Sequence, residues 1–305
     1  MESPYVCLSH CWGSGQSIPV TKKSNYADQL GGIAWETLPQ TFQDAVVFAR
    51  KLQIRYMWID SLCIVQDDRS DWAENTANMA SVYQNGYLTL AATSAEDSRG
   101  GLFYAGHSSE VAFRRKLPHF SDMESGHSTQ RNKSAAGFPL LKRAWIYQER
   151  LLSPRILHFT HHELLWECLE GSICQCLLGS EPFSPSDSPV SPSRSPSSPG
   201  RINHLPQDCS IGLDGSDEAS RLIAWHNILV KYSKLTITYH TDRLSALSGI
   251  AQQFGRPYAS QYLAGMWKEQ ICYDLIWISL DAGSSPRPLN WSVPSWSWAS
   301  IEGAV

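Results

Sequence analysis

A run of chemically versatile side chains lies near the start of the chain, in Ser9-His10-Cys11-Trp12-Gly13. Serine, cysteine and histidine in one cluster are typical of nucleophilic catalysis, in which a base activates a hydroxyl or a thiol. Adjacent residues of a strand point to opposite sides, so His10 cannot readily activate both of its neighbours. The same side chains, with the backbone of Gly13, are also suited to line the phosphates or ribose of a ligand. A purely structural loop is the remaining interpretation.

Asp60 is a second candidate, because it interrupts the apolar run 56–64. An unpaired charge among apolar residues is costly, so Asp60 must be hydrogen-bonded, ion-paired or facing a cleft. The expected partners are a backbone amide near Gly13, the guanidinium of Arg143, or a ribose hydroxyl. Structural and ligand-holding roles both remain open.

Glu149 is the strongest catalytic candidate. It lies four residues after Trp145, which puts the two side chains on one face of a predicted helix. A carboxylate beside an aromatic wall is shielded from water, which strengthens its interaction with developing positive charge. The alternative is that Glu149 pairs with Arg143, Arg150 or Arg155 and fixes the helix in place.

Histidines and cysteines that suggest a metal site come after this helix. They are His158, His161, His162, Cys168, Cys174 and Cys176. Their spacing fits no standard zinc signature, since there is no Cys-x₂-Cys pair. We therefore predict no metal.

Alternating strands and helices must position these residues. Apolar runs predict strands at 5–9, 56–64, 87–93, 155–160 and 163–168, the last two forming a hairpin. Helical spacing predicts helices at 41–52, 71–83 and 141–152. This order predicts an α/β fold with a parallel sheet, whose ligands bind at the carboxyl ends of the strands. The run 56–64 is expected to be a central strand, and Thr41 with Asp44 and Asp71 with Glu74 resemble capping pairs.

The chain is expected to divide into an α/β domain at 1–180, a linker or insert at 181–205, and a mainly helical extension at 206–305. Residues 183–200 are a low-complexity Ser/Pro stretch that cannot bury enough apolar surface to become ordered. Helical patterns come after it. The tryptophan-rich stretch 291–299 alternates like a strand.

Composition restricts the class of protein. The chain has 305 residues, of which 42% are hydrophobic and 18% charged, with a net charge of −4 and 12 tryptophans. Such a chain has ample material for a core, and the lack of a basic stripe argues against a nucleic-acid partner. No apolar run reaches the roughly 18 residues that a membrane span needs. Without a signal segment, and with Cys7, Cys11, Cys63, Cys168 and Cys272 in apolar stretches, we expect reduced thiols and a cytoplasmic protein.

Five motifs in order resemble the fungal heterokaryon incompatibility (HET) domain over about residues 5–153. They are Leu8-Ser9-His10-Cys11-Trp12-Gly13, Leu38-Pro39 with Phe42 and Asp44-Ala45, Trp58-Ile59-Asp60-Ser61-Leu62-Cys63-Ile64 with Gln66-Asp67, Met79 with Tyr83, and 143–153 (Arg-Ala-Trp-Ile-Tyr-Gln-Glu-Arg-Leu-Leu-Ser). Parts of the C-terminal half, such as Ala246-Leu247-Ser248-Gly249-Ile250 and Pro294-Ser295-Trp296-Ser297-Trp298, resemble the region C-terminal to the HET domain in many fungal proteins. The resemblance implies a role in non-self recognition, in which incompatible fusion triggers cell death.

HET domains remotely resemble Toll/interleukin-1 receptor (TIR) domains, some of which hydrolyse NAD. This implies a TIR- or flavodoxin-like sheet with helices on both faces, Glu149 as the catalytic carboxylate, and NAD as a substrate rather than a resident cofactor. The implied substrate-binding residues are Ser9, His10, Cys11, Trp12, Gly13, Asp60, Trp145 and Gln148. Implied protein partners are further copies of the chain or another incompatibility protein. A non-enzymatic, self-associating module and a divergent inactive copy are the alternatives, since fold resemblance alone does not confer activity.

Overall fold

A six-stranded sheet organises the part of the chain that the computed structural model describes. That part comprises residues 3–13, 18–104, 138–161, 163–169, 171–174, 218–255, 261–280 and 293–305. The strands of the sheet are β1 (Tyr5–Ser9), β2 (Tyr56–Trp58), β3 (Leu88–Ala91), β4 (Arg155–Phe159), β5 (Leu164–Cys168) and β6 (Gly171–Cys174). The predicted Ser/Pro segment and the boundaries of the predicted linker lie outside the described residues.

The strand order is β2-β1-β3-β4-β5-β6. The first four strands run parallel to one another, β5 runs antiparallel to β4, and β6 runs antiparallel to β5. The α/β prediction is therefore confirmed, as is the hairpin of β4 and β5. The order 2-1-3-4 reverses direction between β1 and β3, and open α/β sheets bind ligands beyond the carboxyl ends of the strands at such a switch point.

The predicted strand over 56–64 is wrong in both length and place. β2 ends at Trp58 and lies at the edge of the sheet, beside β1 alone. A short helix, α3 (Asp60–Cys63), begins two residues later. The Asp60 carboxylate accepts a hydrogen bond of 2.7 Å from the backbone N–H of Ser61. Local bonds of this kind compete with strand pairing, which is why an apolar run with one aspartate turns into a helix.

Helices cover the sheet. The α-helices besides α3 are α1 (Tyr26–Leu30), α2 (Gln40–Lys51), α4 (Arg69–Asn85), α5 (Ala144–Leu152), α6 (Glu218–Ser233), α7 (Ser245–Gly255) and α8 (Ile271–Asp274). Neither predicted capping pair caps a helix. Thr41 and Asp44 instead accept the backbone N–H groups of Gly101 at 3.0 Å and Leu102 at 2.7 Å. The cap of α4 is Asp68, which precedes the predicted position.

The side chains of β1 point alternately to the two faces of the sheet. Val6 and Leu8 pack with Phe42 and Ala45 of α2 in one apolar cluster. Cys7 belongs to a second cluster on the opposite face, with residues of α4, α5, α6 and α7. Ser9, the last residue of β1, is on the same side as Cys7.

The second cluster joins the two halves of the chain into one core. Buried members come from both halves: Met79, Tyr83, Ala144, Leu151, Trp225, Ile228, Leu247 and Ile250. The backbone of Thr236 also bonds on both sides of the start of α5, at Lys142 O (2.7 Å) and Ala144 N (2.9 Å). Helix α5 therefore lies between the sheet domain and the C-terminal helices.

Two expectations for the C-terminal half were wrong. Residues 262–267 form a two-stranded hairpin, β7 (Tyr262–Leu263) with β8 (Met266–Trp267), where a helical pattern was predicted. The described part of the tryptophan-rich stretch, from Val293 onward, contains turns and one 3₁₀ turn at Trp298–Ser300 instead of a strand. The Trp298 indole N–H donates to Gly265 O at 3.0 Å, so this stretch is folded around single tryptophan anchors.

Gly249 generates a stability prediction. A Cβ at this position would lie 2.7 Å from the Ala80 Cβ and 2.7 Å from the Gln148 Oε1. Glycine to alanine within a helix ordinarily stabilises a protein. At this contact we expect Gly249→Ala to lower the free energy of unfolding by about 1–3 kcal/mol, because α7 must move away from α4 and α5. Urea unfolding measures the change, with Ser248→Ala on the half-buried neighbour as the control. An unchanged or raised stability of Gly249→Ala contradicts the close packing.

Candidate functional site

Glu149 lies at the carboxyl end of β1. Its side chain is buried, with 3% of its surface exposed, and its Oε2 accepts a hydrogen bond of 2.6 Å from the Ser9 hydroxyl. The Tyr83 hydroxyl of α4 lies near the same carboxyl and lowers its pKa. The acidic group therefore faces the tip of the first strand, next to the switch point of the sheet.

The pKa of Glu149 is raised to about 7. Burial is the largest cause, since removal from water penalises the charged form, and the negative charge of Asp60 adds to it. The hydrogen bonds from Ser9 and Tyr83 and the charge of Arg143 act in the opposite direction. A carboxyl with this pKa exchanges a proton near neutral pH, which suits acid–base chemistry.

Asp60 is fixed by groups around the first strand's tip. Its Oδ2 accepts from the Trp12 indole N–H at 3.0 Å, and its Oδ1 from the Ser61 backbone N–H at 2.7 Å. The His10 Nδ1 lies 3.9 Å from Oδ1. The backbone amide that donates to Asp60 belongs to Ser61 and not, as expected, to the loop at Gly13.

The side chains of the first motif diverge, as the alternation of a strand requires. Ser9 points to Glu149, whereas His10 packs edge-on against Phe42 with ring centroids 4.9 Å apart. The Cys11 thiol is hydrogen-bonded to Arg143, although burial raises its pKa overall. Burial lowers the pKa of His10, and the Asp60 charge opposes this. Serine, histidine and cysteine therefore do not form a nucleophile–base chain.

Gly13 ends this motif in a conformation that requires glycine. Its φ is +82°, and an added Cβ would lie 2.7 Å from the Cβ of Asp97. Only glycine adopts such a backbone without strain. The chain can therefore turn sharply past Trp12, which donates to Asp60.

The three arginines considered as partners of Glu149 are engaged differently. Arg150 pairs with Glu167, its Nε lying 2.9 Å from Oε2. Arg155 donates to Tyr87 O at 2.8 Å. Arg143 acts on Glu149 through its charge, lowering the carboxyl pKa. Glu149 is thus surrounded mainly by hydroxyl groups rather than clamped by a guanidinium.

The side chains of Trp145 and Gln148 contact residues of the C-terminal region. The Trp145 side chain is hydrogen-bonded to Asp242. The fully buried Gln148 accepts the backbone N–H of Gly249 at 2.7 Å through Oε1. Among the described residues, the Gln148 Nε2 has no hydrogen-bond partner. The nine predicted site residues therefore separate into a group around Glu149 and Asp60 and a pair that contacts the C-terminal helices.

Tyr83 is a residue of the candidate site that sequence analysis missed, because it is one of the apolar residues of the predicted helix 71–83. It is buried, with 1% exposure, yet its hydroxyl reaches Glu149. A buried tyrosine nearly always needs a partner for its hydroxyl. A tyrosine on an apolar helix face is therefore the signal that could have revealed it.

A small cavity lies beside Ser9. It has a volume of about 10 Å³ and is lined in part by Ser9, Leu140, Ile146, Arg150 and His158. This is room for roughly one water molecule. A dinucleotide therefore cannot occupy this cavity unless the surroundings open.

Two further findings concern other site types. Within the described ranges, no group of three His, Cys, Asp or Glu side chains is arranged to hold a metal ion. His162 and Cys176, and the side chain of Cys174, lie outside those ranges.

None of the described helices combines the length and the hydropathy needed to cross a bilayer. Cys7 and Cys11 are buried as expected, whereas Cys63 and Cys272 are exposed.

Comparison with known proteins identifies one family. Residues 5–149 match the family model described as Heterokaryon incompatibility protein (HET). No curated protein and no solved structure matches the chain. Every predicted site residue lies within the matched range, which ends at Glu149 inside α5.

The raised pKa of Glu149 generates a prediction about stability and pH. Between pH 4.5 and about 7 the folded protein binds more protons at Glu149 than the unfolded chain does. The contribution of Glu149 to the free energy of unfolding is therefore greatest below pH 4.5. It falls as the pH rises to about 7, by at most roughly 3 kcal/mol. Glu149→Gln resembles the protonated form and should lack this loss.

Urea unfolding of both proteins from pH 4.5 to 8 measures the effect. The difference in the free energy of unfolding between wild type and Glu149→Gln removes the effects of other titrating groups. His10 is one of them: because its pKa is lowered, its contribution to stability falls as the pH drops below the ordinary pKa of histidine. We expect Glu149→Gln to gain stability relative to wild type as the pH rises. A difference that does not change with pH contradicts the raised pKa.

Proposed function

We propose, on the premise that residues 5–149 match the heterokaryon incompatibility family, that the chain acts as an effector enzyme that cleaves NAD. In this proposal Glu149 is the catalytic carboxylate, and loss of NAD kills the incompatible cell. The observation that carries the proposal is the buried carboxyl at the switch point of the sheet, with its pKa of about 7.

The reaction breaks the bond between the ribose C1′ and the nicotinamide nitrogen. The bonding electrons leave with nicotinamide, and positive charge develops on the ribose as an oxocarbenium ion. An ionised Glu149 stabilises that charge, as carboxylates do in glycoside hydrolysis. Water then adds to C1′ and releases a proton, which gives ADP-ribose. The nearby Asp60 charge contributes to the same negative field.

The features that support this reaction are local. Burial of Glu149 strengthens its interaction with a cationic transition state, because the surroundings have a low dielectric constant. Trp12 and Asp60 meet at the end of β1, where a ribose hydroxyl would find a fixed acceptor. The Trp145–Glu149 spacing is similar to that of TIR-type enzymes, although here Trp145 bonds to Asp242.

The test is nicotinamide release from NAD by the purified full chain, at high protein concentration to favour oligomers. We expect Glu149→Gln to reduce the rate by about 100-fold or more, since one electrostatic group typically contributes that much. Glu74→Gln is the matched control, because Glu74 is exposed on α4 and should leave the rate unchanged. Absence of nicotinamide release by the wild type, or an undiminished rate in Glu149→Gln, refutes the proposal.

A second candidate function is a non-enzymatic signalling module that self-associates. The observation that favours it is the enclosure of Glu149, which is 3% exposed beside a cavity of only about 10 Å³. In that case Glu149 is a structural group, and the surface of the domain carries the function.

Expression of variants in fungal cells distinguishes the two candidates. For the enzyme, we expect Glu149→Gln to abolish cell death while the protein stays folded. For the signalling module, folded Glu149→Gln retains full toxicity. Circular dichroism and the protein level in the cell exclude loss by unfolding, and Glu74→Gln again provides the control.

A further inference from the structure

Two hydroxyl groups from different elements converge on the Glu149 carboxyl. Ser9 belongs to the end of β1 and donates at 2.6 Å to Oε2. Tyr83 belongs to α4, and its hydroxyl lies close enough to the same carboxyl to lower the carboxyl pKa. All three side chains are at most 3% exposed, so bulk water does not compete for these hydrogen bonds.

Hydroxyl groups have a property that cationic side chains lack. A hydroxyl donates to an ionised carboxylate and, by rotating, accepts from a protonated one, whereas arginine and lysine only donate. Ser9 and Tyr83 can therefore hold the carboxyl in one place through both protonation states. A group that changes its charge near neutral pH needs such partners to remain in position.

We propose that Ser9 and Tyr83 are positioning residues that hold the Glu149 carboxyl toward the end of β1. The assignment rests on the proposed function of Glu149 and gives Ser9 a role other than nucleophile or ligand contact. The Ser9 hydroxyl is directed at Glu149, and the adjacent His10 packs against Phe42 and so does not act as its base.

The remaining charged and titratable groups around Glu149 stay in place when a hydroxyl is removed. Asp60 of α3 opposes ionisation of the carboxyl, and Arg143 before α5 favours it. The Glu149 charge in turn raises the pKa of the Cys7 and Cys11 thiols. Helix α7, on the other side of α5, carries no titratable side chain. A change in the titration of Glu149 in a Ser9 or Tyr83 variant therefore reports the lost hydrogen bond.

The first readout is independent of activity. In protein labelled with ¹³C at the glutamate carboxyl, the Glu149 resonance is the one that is missing from Glu149→Gln. Removal of a donor from the ionised form should raise the pKa, so we expect Ser9→Ala and Tyr83→Phe each to move the titration upward by about 1 pH unit. Ser9→Thr keeps the hydroxyl, and the adjacent cavity of about 10 Å³ leaves space for its methyl group, so its titration should stay near that of wild type.

Ser153→Ala is the matched control. The Ser153 hydroxyl is also buried and bonds to Glu149, but to its backbone oxygen, at 2.7 Å. Its loss removes a hydroxyl from the same helix end without touching the carboxyl. We expect the Glu149 titration to stay unchanged in this variant.

The second readout is the pH profile of NAD cleavage. The rising limb, which reports ionisation of Glu149, should move upward in Ser9→Ala and Tyr83→Phe, with kcat reduced more than KM is changed. Ser9→Thr should restore most of kcat. A shifted titration without any nicotinamide release keeps the positioning role and refutes the proposed reaction. Unshifted titrations in both Ser9→Ala and Tyr83→Phe overturn the positioning role, whatever the activity.

Discussion

The arrangement of residues at the candidate site depends on the burial of one carboxyl group, that of Glu149. Taking an ionised carboxylate out of water costs several kcal/mol unless other groups compensate. Around Glu149 the compensation comes from separate parts of the chain: Ser9 from β1, Tyr83 from α4 and the positive charge of Arg143. Asp60 adds a negative charge that makes ionisation harder. The balance holds the proton more tightly than an ordinary carboxyl does, and the pKa of Glu149 lies at about 7.

The helix that carries Glu149 is stabilised from two sides. Toward the sheet it contacts Ser9 through Glu149, and toward the C-terminal helices it bonds to Gly249 through Gln148. The apolar cluster around it contains Tyr83 from the first half and Trp225 from the second. The C-terminal region therefore completes the core behind the site, and its packing determines where the carboxyl lies.

Sequence patterns predicted the alternating strands and helices well, because burial of an apolar face has a regular period. They failed where a polar side chain bonded the backbone in a way that the apolar pattern does not reveal. Asp60 ended a strand that looked continuous, and Thr41 with Asp44 bonded a distant loop instead of capping α2. At the candidate site, the sequence suggested the acidic residue Glu149 but not the side chains that contact it. Tyr83 was hidden among core residues, and nothing in the sequence showed that Gln148 turns toward Gly249. Long-range contacts of this kind depend on how whole elements pack.

The contact between Gln148 of α5 and Gly249 of α7 has a consequence for recombination between related genes. A chimaera joined immediately after Glu149 would take residues 144–149 of α5 from one parent. Residues 150–152 and the whole of α7 would come from the other parent. Gln148 from one parent would then meet whatever residue the other parent supplies at position 249, and a side chain larger than that of glycine would crowd it. Inheritance of the two halves as one unit avoids this mismatch.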